Sequence, residues 1–451
     1  MVRIICKETF LTGIFFSRTA QMISTGTPDK LYRYERVGTN PVVMKTTERN
    51  PTNVLLCGWN LLWIPIFLYL GCLSCLIIWS YHYDTKNIIS IWTWSMVQVI
   101  QSILPSSSQL WIISFVQEWS WHRMESFCSP KMNEYIGIIP PTVDFRSTCI
   151  PSSRILCPSS MEEVTQDYMQ QQLGKDWMEY PVVFRGIWSR EELSSPQRRL
   201  SISGLQQDEE LSNVRVNYFT TASALKPNSE KYETVGTVIR EILSSEKPLK
   251  LASQIPLQQI PSLITEVAPK KLVETLFGRH RFEPNSLRPK KLFFGLLNIP
   301  ASTTVPIFVA SSFQNARTDL HAEPIGNFAV QLHGSKQWTL ALPSKTSCLR
   351  PSISDHGRAY YYSHLSSDDI QSSTSNKSFL TEAGDAVWIP PWTWHRVDYT
   401  ILHTTNNKNS SISMAASLFH FRFFDFWYNH PLLAMLILPN IIREAMGANT
   451  E

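Results

Sequence analysis

Apolar-rich runs over Asn327–Leu332, Gln337–Leu342, Phe379–Thr381 and Ala386–Ile389 are short and bounded by turn residues, and over Trp392–Val397 apolar and polar positions roughly alternate with a period of two. Both patterns predict β-strands, with side chains two apart on one face. The turn residues of His333–Lys336 and Glu382–Asp385 fall between these runs, so the pattern predicts two hairpins, with a Pro390-Pro391 break after the second. Helical spacing predicts helices over Met161–Leu173, Thr234–Leu243 and Leu263–Phe277, and Ser189-Arg190-Glu191-Glu192 matches a capping box. Lys291–Ala310 adds strands, while Ser194–Asp208 and Thr220–Lys231 read as polar loops.

A different pattern precedes these elements. Val54–Trp79 carries no charged side chain and spans about 39 Å as a helix at about 1.5 Å per residue, more than a bilayer core of about 30 Å. Trp59, Trp63, Trp79, Tyr81 and Tyr83 cluster towards its ends like an interfacial belt. The apolar segment 88–116 is a second candidate span, or an interfacial one, but Gln98, Gln101 and the serines after Pro105 make it expensive to bury in lipid. The expected organisation is a basic leader at 1–53, a membrane helix at 54–79, a linker at 117–159 that becomes rich in Pro and Ser, a catalytic domain at 160–430, and an apolar C-terminal helix or tail at 431–451. The last is either a cap on the domain or a homodimer surface, with Pro431 and Pro439 limiting any long helix.

Composition narrows the function classes. A net charge of +4, with no dense Lys/Arg run and no zinc-finger spacing, argues against a nucleic-acid partner. Of eight cysteines only Cys348 lies inside 160–430, so no disulfide framework is expected there. The first fifty residues hold eight Lys/Arg against four Asp/Glu, which orients the N-terminus to the cytoplasm and, with one span, the domain to the lumen. A hairpin through 88–104 would return the domain to the cytoplasm, and Met1–Ser24 can alternatively be read as a targeting peptide. The sequons at Asn376 and Asn409 matter only in the secretory pathway.

The chemistry lies in the strands. His321 and Glu323, answered by His395, have the H-x-E…H spacing of a facial iron site, in which three protein ligands leave the opposite face of Fe(II) open. His321 and Glu323 are expected on one face of one strand, and His395 must come from another. A lone buried histidine is more often structural, and that reading is kept for His333, His356, His364, His403 and His420. Trp338, Trp388, Trp392 and Trp394 are expected to be packing residues.

Asn327–Leu342 and Gly384–His395 resemble the Jumonji C, cupin-like oxygenases, and within them the small hydroxylases; Tyr180–Gly186 is similar to the strand that opens such domains. The resemblance implies a mainly β fold, a double-stranded β-helix (jelly roll) with flanking helices, and Fe(II) with 2-oxoglutarate as cosubstrate. It implies that Lys336, fifteen residues after His321, binds the distal carboxylate, with Thr318 and Asn327 in the same pocket. The expected activity is hydroxylation of a protein side chain. Two departures are visible: Glu323 stands where most small hydroxylases have aspartate, and Ser411–Ser417 has no counterpart of the asparagine some relatives place there. A cupin-like binding protein without turnover, or a cupin metalloenzyme without 2-oxoglutarate, remain the alternatives.

Overall fold

Strands whose two faces are both apolar need cover on both sides, and here two facing sheets and two layers of helices provide it. The computed structural model describes Gly71 and residues 88–104, 110–125, 155–277 and 304–445, apart from 159, 176, 220–229, 245–249, 257–262, 312–316, 355–357, 366–377, 400–411, 421–422 and 429. The leader 1–53, nearly all of Val54–Trp79, most of the linker, residues 291–303 and both sequons lie outside the described residues. Among the described residues, no helix is long and apolar enough to cross a membrane.

The strands are β1 (Ile155–Leu156), β2 (Val182–Phe184), β3 (Arg215–Phe219), β4 (Glu230–Thr234), β5 (Lys250–Pro256), β6 (Thr304–Ser311), β7 (His321–Ala322) and β8 (Gly326–His333). They continue as β9 (Ser335–Ala341), β10 (Pro351–Ile353), β11 (Tyr361–Ser363), β12 (Ser378–Glu382), β13 (Ala386–Ile389), β14 (Trp394–Asp398) and β15 (Ile412–His420). One sheet runs β1-β2-β13-β8-β15-β6-β5-β3-β4 and the other β10-β11-β7-β14-β9-β12. The chain therefore changes sheet from β6 to β7, β7 to β8 and β8 to β9, and again at each step from β12 to β15. This is the winding of a double-stranded β-helix.

The two predicted hairpins are thereby corrected. β8 pairs with β13 and β15, and β9 with β12 and β14; neither β8 with β9 nor β12 with β13 forms a ladder. Short strand-like runs and a turn residue are common to a hairpin and to a sheet-to-sheet crossing, so they do not specify the partner. At the first crossing Gly334 has φ +63°, and a Cβ there would lie 2.1 Å from the Ile412 carbonyl oxygen, so only glycine fits.

Alternation does decide the faces. β8 sends Phe328, Val330 and Leu332 outward beneath helices and Ala329 into the interior; β13 sends Ala386 and Trp388 outward and Val387 and Ile389 inward. Trp338, Leu340, Phe379 and Val397 complete that interior.

The principal helices are α1 (Ile88–Ile103), α2 (Trp111–Glu125), α3 (Gln166–Leu173), α4 (Val235–Ser244), α5 (Lys270–Phe277) and α6 (Pro431–Ala445). The three predicted helical regions correspond to α3, α4 and α5, though Met161–Leu173 begins as a separate 3-10 turn and Leu263–Phe277 divides at Pro269. Thr165 caps α3, the capping box at Ser189 with Glu192 is present, and the expected loop Ser194–Asp208 is corrected by a short helix at Ile202–Gln207 that Ser201 caps. Residues of α3, α4 and α5 join the core on the outer face of the nine-stranded sheet. Those of α1, α2 and α6 join the core on the outer face of the six-stranded one.

Several expected boundaries move as a result. β1 pairs in parallel with β2, so the domain includes residues before 160. α2 runs through the first part of the expected linker. Trp94 and Trp121 both donate their indole N–H to the Pro351 carbonyl, at 2.8 and 2.9 Å, which anchors α1 and α2 to β10. α6 begins with Pro431 at its first position, where no N–H is needed, and continues through Pro439. Leu433, Ala434, Leu436 and Ile437 are buried inside the chain's own core, so that face packs on the domain.

The expectation of no disulfide framework in 160–430 is also corrected: Cys348 takes part in a disulfide, and so does Cys157, just before that range. Counting cysteines inside a boundary missed this, because a single cysteine there can bond to one outside it. A buried ion pair adds a second clasp. Arg185, just past β2, meets Asp385 at 2.6 Å, and the same carboxylate accepts from Gly186 N and Glu382 N.

Candidate metal centre

β7 and β14 are antiparallel neighbours, and their register sets His395 directly opposite His321. Their rings stand 4.1 Å apart, centroid to centroid, and both are buried. Each Nδ1 faces the backbone carbonyl two residues earlier: Asp319 O at 2.8 Å for His321, and Thr393 O at 3.0 Å for His395. A carbonyl can only accept, so each Nδ1 carries the hydrogen and each Nε2 keeps its lone pair. Neither Nε2 makes a hydrogen bond among the described residues. Burial lowers both imidazole pKa values, and the neighbouring His321 and then Lys336 lower that of His395 further. Neutral, tautomer-fixed imidazoles side by side are donors of the type that divalent transition metals take.

The ladder of β7 ends at Ala322, so Glu323 follows it directly. Among the described residues no three His, Cys, Asp or Glu side chains are gathered closely enough to surround one ion. The Glu323 main chain is nonetheless tied to the other ligand segment, since its carbonyl accepts from Trp392 N at 2.8 Å. Trp392 adopts φ +66°, a rare conformation for a bulky residue. It is held there by an indole bond to the Phe426 carbonyl at 2.9 Å and by packing on Tyr361 and Phe426. This strained turn sets the approach of Glu323 to the strand of His395.

Lys336 points into the same interior. It lies on β9, whose Leu340 pairs with His395, and it is only 2 % exposed. Its ammonium sits 4.3 Å from the centre of the Trp338 ring, and among the described residues it forms no ion pair with a carboxylate. Burial alone pushes its pKa down to about 7. A desolvated cation without an anion is costly, and the cost is relieved by an anionic ligand. Asn327 is buried too, on β8, with no hydrogen-bond partner for its Oδ1 among the described residues. Thr318 is engaged elsewhere: its hydroxyl accepts from Val397 N and its own N–H donates to Val397 O, both at 2.8 Å, which fastens its segment to β14.

Trp338, expected as a packing residue, is buried in this interior and also borders the site: it lies 6.3 Å from the His395 ring and beneath Lys336, and its indole donates to Thr381 Oγ1 at 3.0 Å. Its position two residues after Lys336 was the available signal, since both then share a face. The other histidines keep structural settings: His420 packs on Phe277 and Trp388, and His364 between Trp121 and Tyr362. His356 and His403 lie outside the described residues.

A double-stranded β-helix with a histidine pair and a buried cation in its interior defines the cupin class. A family model for the cupin-like domain matches residues 178–430, more than half of the chain, and the chain belongs to this family. No curated protein matches the chain.

Lys336→Met provides a test with two opposed signs. Because the folded pKa lies below the ordinary 10.5, the wild type is destabilised relative to the variant as pH falls from about 10.5 to about 7, and the gap is constant below that. Metal-free Lys336→Met is therefore expected to melt higher than wild type at pH 7, with the difference closing towards pH 10. Thermal melts across that range check it; a variant that melts lower than wild type throughout rules out an uncompensated ammonium.

Proposed function

We propose that this cupin domain is an Fe(II)/2-oxoglutarate-dependent dioxygenase that hydroxylates a protein side chain. The observation that carries the reading is the pair His321 and His395, neutral, fixed as Nδ1–H tautomers and directly opposed, facing the same interior as Lys336. His321 and His395 supply two nitrogen donors, and Glu323 is assigned as the third donor, brought in by rotation about its side-chain bonds. Lys336 is assigned the distal carboxylate of the cosubstrate, with Asn327 as a further polar contact and Thr318 holding the adjacent strand edge. A bound ferrous ion and its cosubstrate supply oxygen activation coupled to oxidative decarboxylation. The protein orients that chemistry and excludes water, through Trp338, Leu340 and Val397 around the donors.

Support for the substrate class comes from the resemblance to the small hydroxylases. The disulfide-bonded Cys157 and Cys348 support an oxidising compartment, and so the single-span, lumen-facing arrangement, with Val54–Trp79 as the anchor.

The test is reconstitution with Fe(II) under anaerobic conditions, followed by oxygen-dependent release of succinate from 2-oxoglutarate. Lys336→Ala is expected to keep iron and to raise the 2-oxoglutarate KM by about 10- to 100-fold, the loss of one charge-assisted contact. An unchanged KM would point to a cupin metalloenzyme without this cosubstrate. A second reading, a ligand-binding cupin without turnover, is favoured by the ungathered position of Glu323; it predicts no ferrous binding at the histidine pair.

A further inference from the structure

An amphipathic helix on a water-soluble domain buries its apolar stripe and exposes its polar one. α1 departs from this: besides Trp94, Val97 and Val99, it buries most of its polar residues and leaves a second apolar stripe outside. Ser90, Ser95, Gln98, Gln101 and Ser102 are buried against the domain, while Ile89, Trp92, Ile100 and Ile103 face outward. The buried amides have specific partners: Gln98 Oε1 accepts from Ile353 N at 2.7 Å, Gln101 donates to Gln117 of α2 at 2.7 Å, and Gln117 donates to Ser352 at 2.9 Å. The first half of α2 repeats the pattern, burying Gln117 and Ser120 and exposing Trp111 by 77 %, Ile112 and Phe115. Ten of the twelve exposed large hydrophobic residues among those described belong to this helix pair and its junction, so the patch is local and not a general property of the surface.

The geometry points to a lipid bilayer as the occupant: we propose that the outer face of α1 and the start of α2 lie in the membrane interface and hold the domain against it. Polar residues turned to protein and apolar ones turned outward is the arrangement that hydrocarbon selects. α1 has 16 residues, about 24 Å, which is too short to span a core of about 30 Å and suited to lying along it. The charge-free run Val54–Trp79 ends only eight residues before α1, a tether of at most about 28 Å. Trp92, Trp111 and Trp119 lie on the exposed side, as interfacial aromatics do. Beyond the patch, Glu118, His122 and Arg123 are exposed, which marks where α2 leaves the apolar layer. Gln98 and Gln101, which in the sequence argue against membrane contact, are withdrawn from it by the fold. The C-terminus of α1 is fixed by Arg443 of α6, which donates to Ser102 O at 2.8 Å, so the face is presented on a rigid layer.

The experiment places a photoreactive benzoylphenylalanine at Phe115, at Trp111 or, as a control, at the exposed Ser203, in the full chain reconstituted into phosphatidylcholine vesicles. The substituted side chains are exposed and the fold does not depend on them. After irradiation, lipid adducts are expected at 115 and 111 and not at 203. Cross-links from 115 or 111 to residues 54–79 would identify that run as the cover, and cross-links between chains would identify a second copy; either result, or the absence of lipid adducts, overturns the proposal. The readout is independent of iron and of turnover.

Discussion

Alanine at His395 is expected to abolish ferrous binding and succinate release together. His321 then stands alone, with its Nε2 facing a space that its partner across β7 and β14 no longer shares. Removing even the outer partners of metal-binding histidines typically costs about 10- to 100-fold, so loss of a ligand is expected to exceed about 100-fold in affinity. His321→Ala should behave alike, and Glu323→Ala should lose activity if its carboxylate completes the set. An anaerobic Fe(II) titration, with circular dichroism to establish that the variant is folded, decides the matter. Equal affinity in wild type and His395→Ala would remove the histidine pair as a metal site. Retained affinity in Glu323→Ala alone would leave the pair in place and reassign the third position.

The largest stability effect is expected at Asp385, outside the site. Its carboxylate receives three hydrogen bonds, from Arg185 Nη1 at 2.6 Å, Gly186 N at 3.1 Å and Glu382 N at 2.9 Å. It thereby joins the strand that opens the family match to the turn before β13. Asp385→Ala leaves the buried Arg185 guanidinium with the Leu380 carbonyl but without that counter-charge. Breaking a buried pair by removing one partner costs about 3–5 kcal/mol. At about 2–4 °C per kcal/mol for a domain of this size, the melting temperature should fall by roughly 10 °C. Replacing both members with well-packed apolar residues should cost much less, because no charge is then stranded. A drop of a degree or two in Asp385→Ala would show that water or another acceptor satisfies Arg185, and the clasp would lose its importance.

The opposed histidines and the buried lysine were legible in the chain because strand alternation is local. His321, Asn327, Lys336, Trp338 and His395 reach one interior through a two-residue period that any strand obeys, whatever its neighbours. The capping box at Ser189 and the helices α3, α4 and α5 are local in the same sense, set by caps and by a 3.6-residue stripe. The sequence by itself also carried the absence of charge in Val54–Trp79 and the chemistry that a pair of imidazoles and a carboxylate offers.

Strand partnership belonged to the tertiary structure alone. β8 and β9 are separated by one glycine and read as a hairpin, yet each ladders with strands far away in the chain, because the facing sheet buries more apolar surface than a local turn could. The main-chain bond that ties the Glu323 carbonyl to Trp392 N, just past the end of β7, is set by the assembled layers and not by any spacing rule. The meaning of Gln98, Gln101 and Gln117 was likewise decided by packing: in sequence they are polar interruptions of an apolar segment, and in the fold they face Ser352 and Ile353 and leave the apolar side outward. Periodicity states which residues share a face; only the assembled layers determine what that face meets.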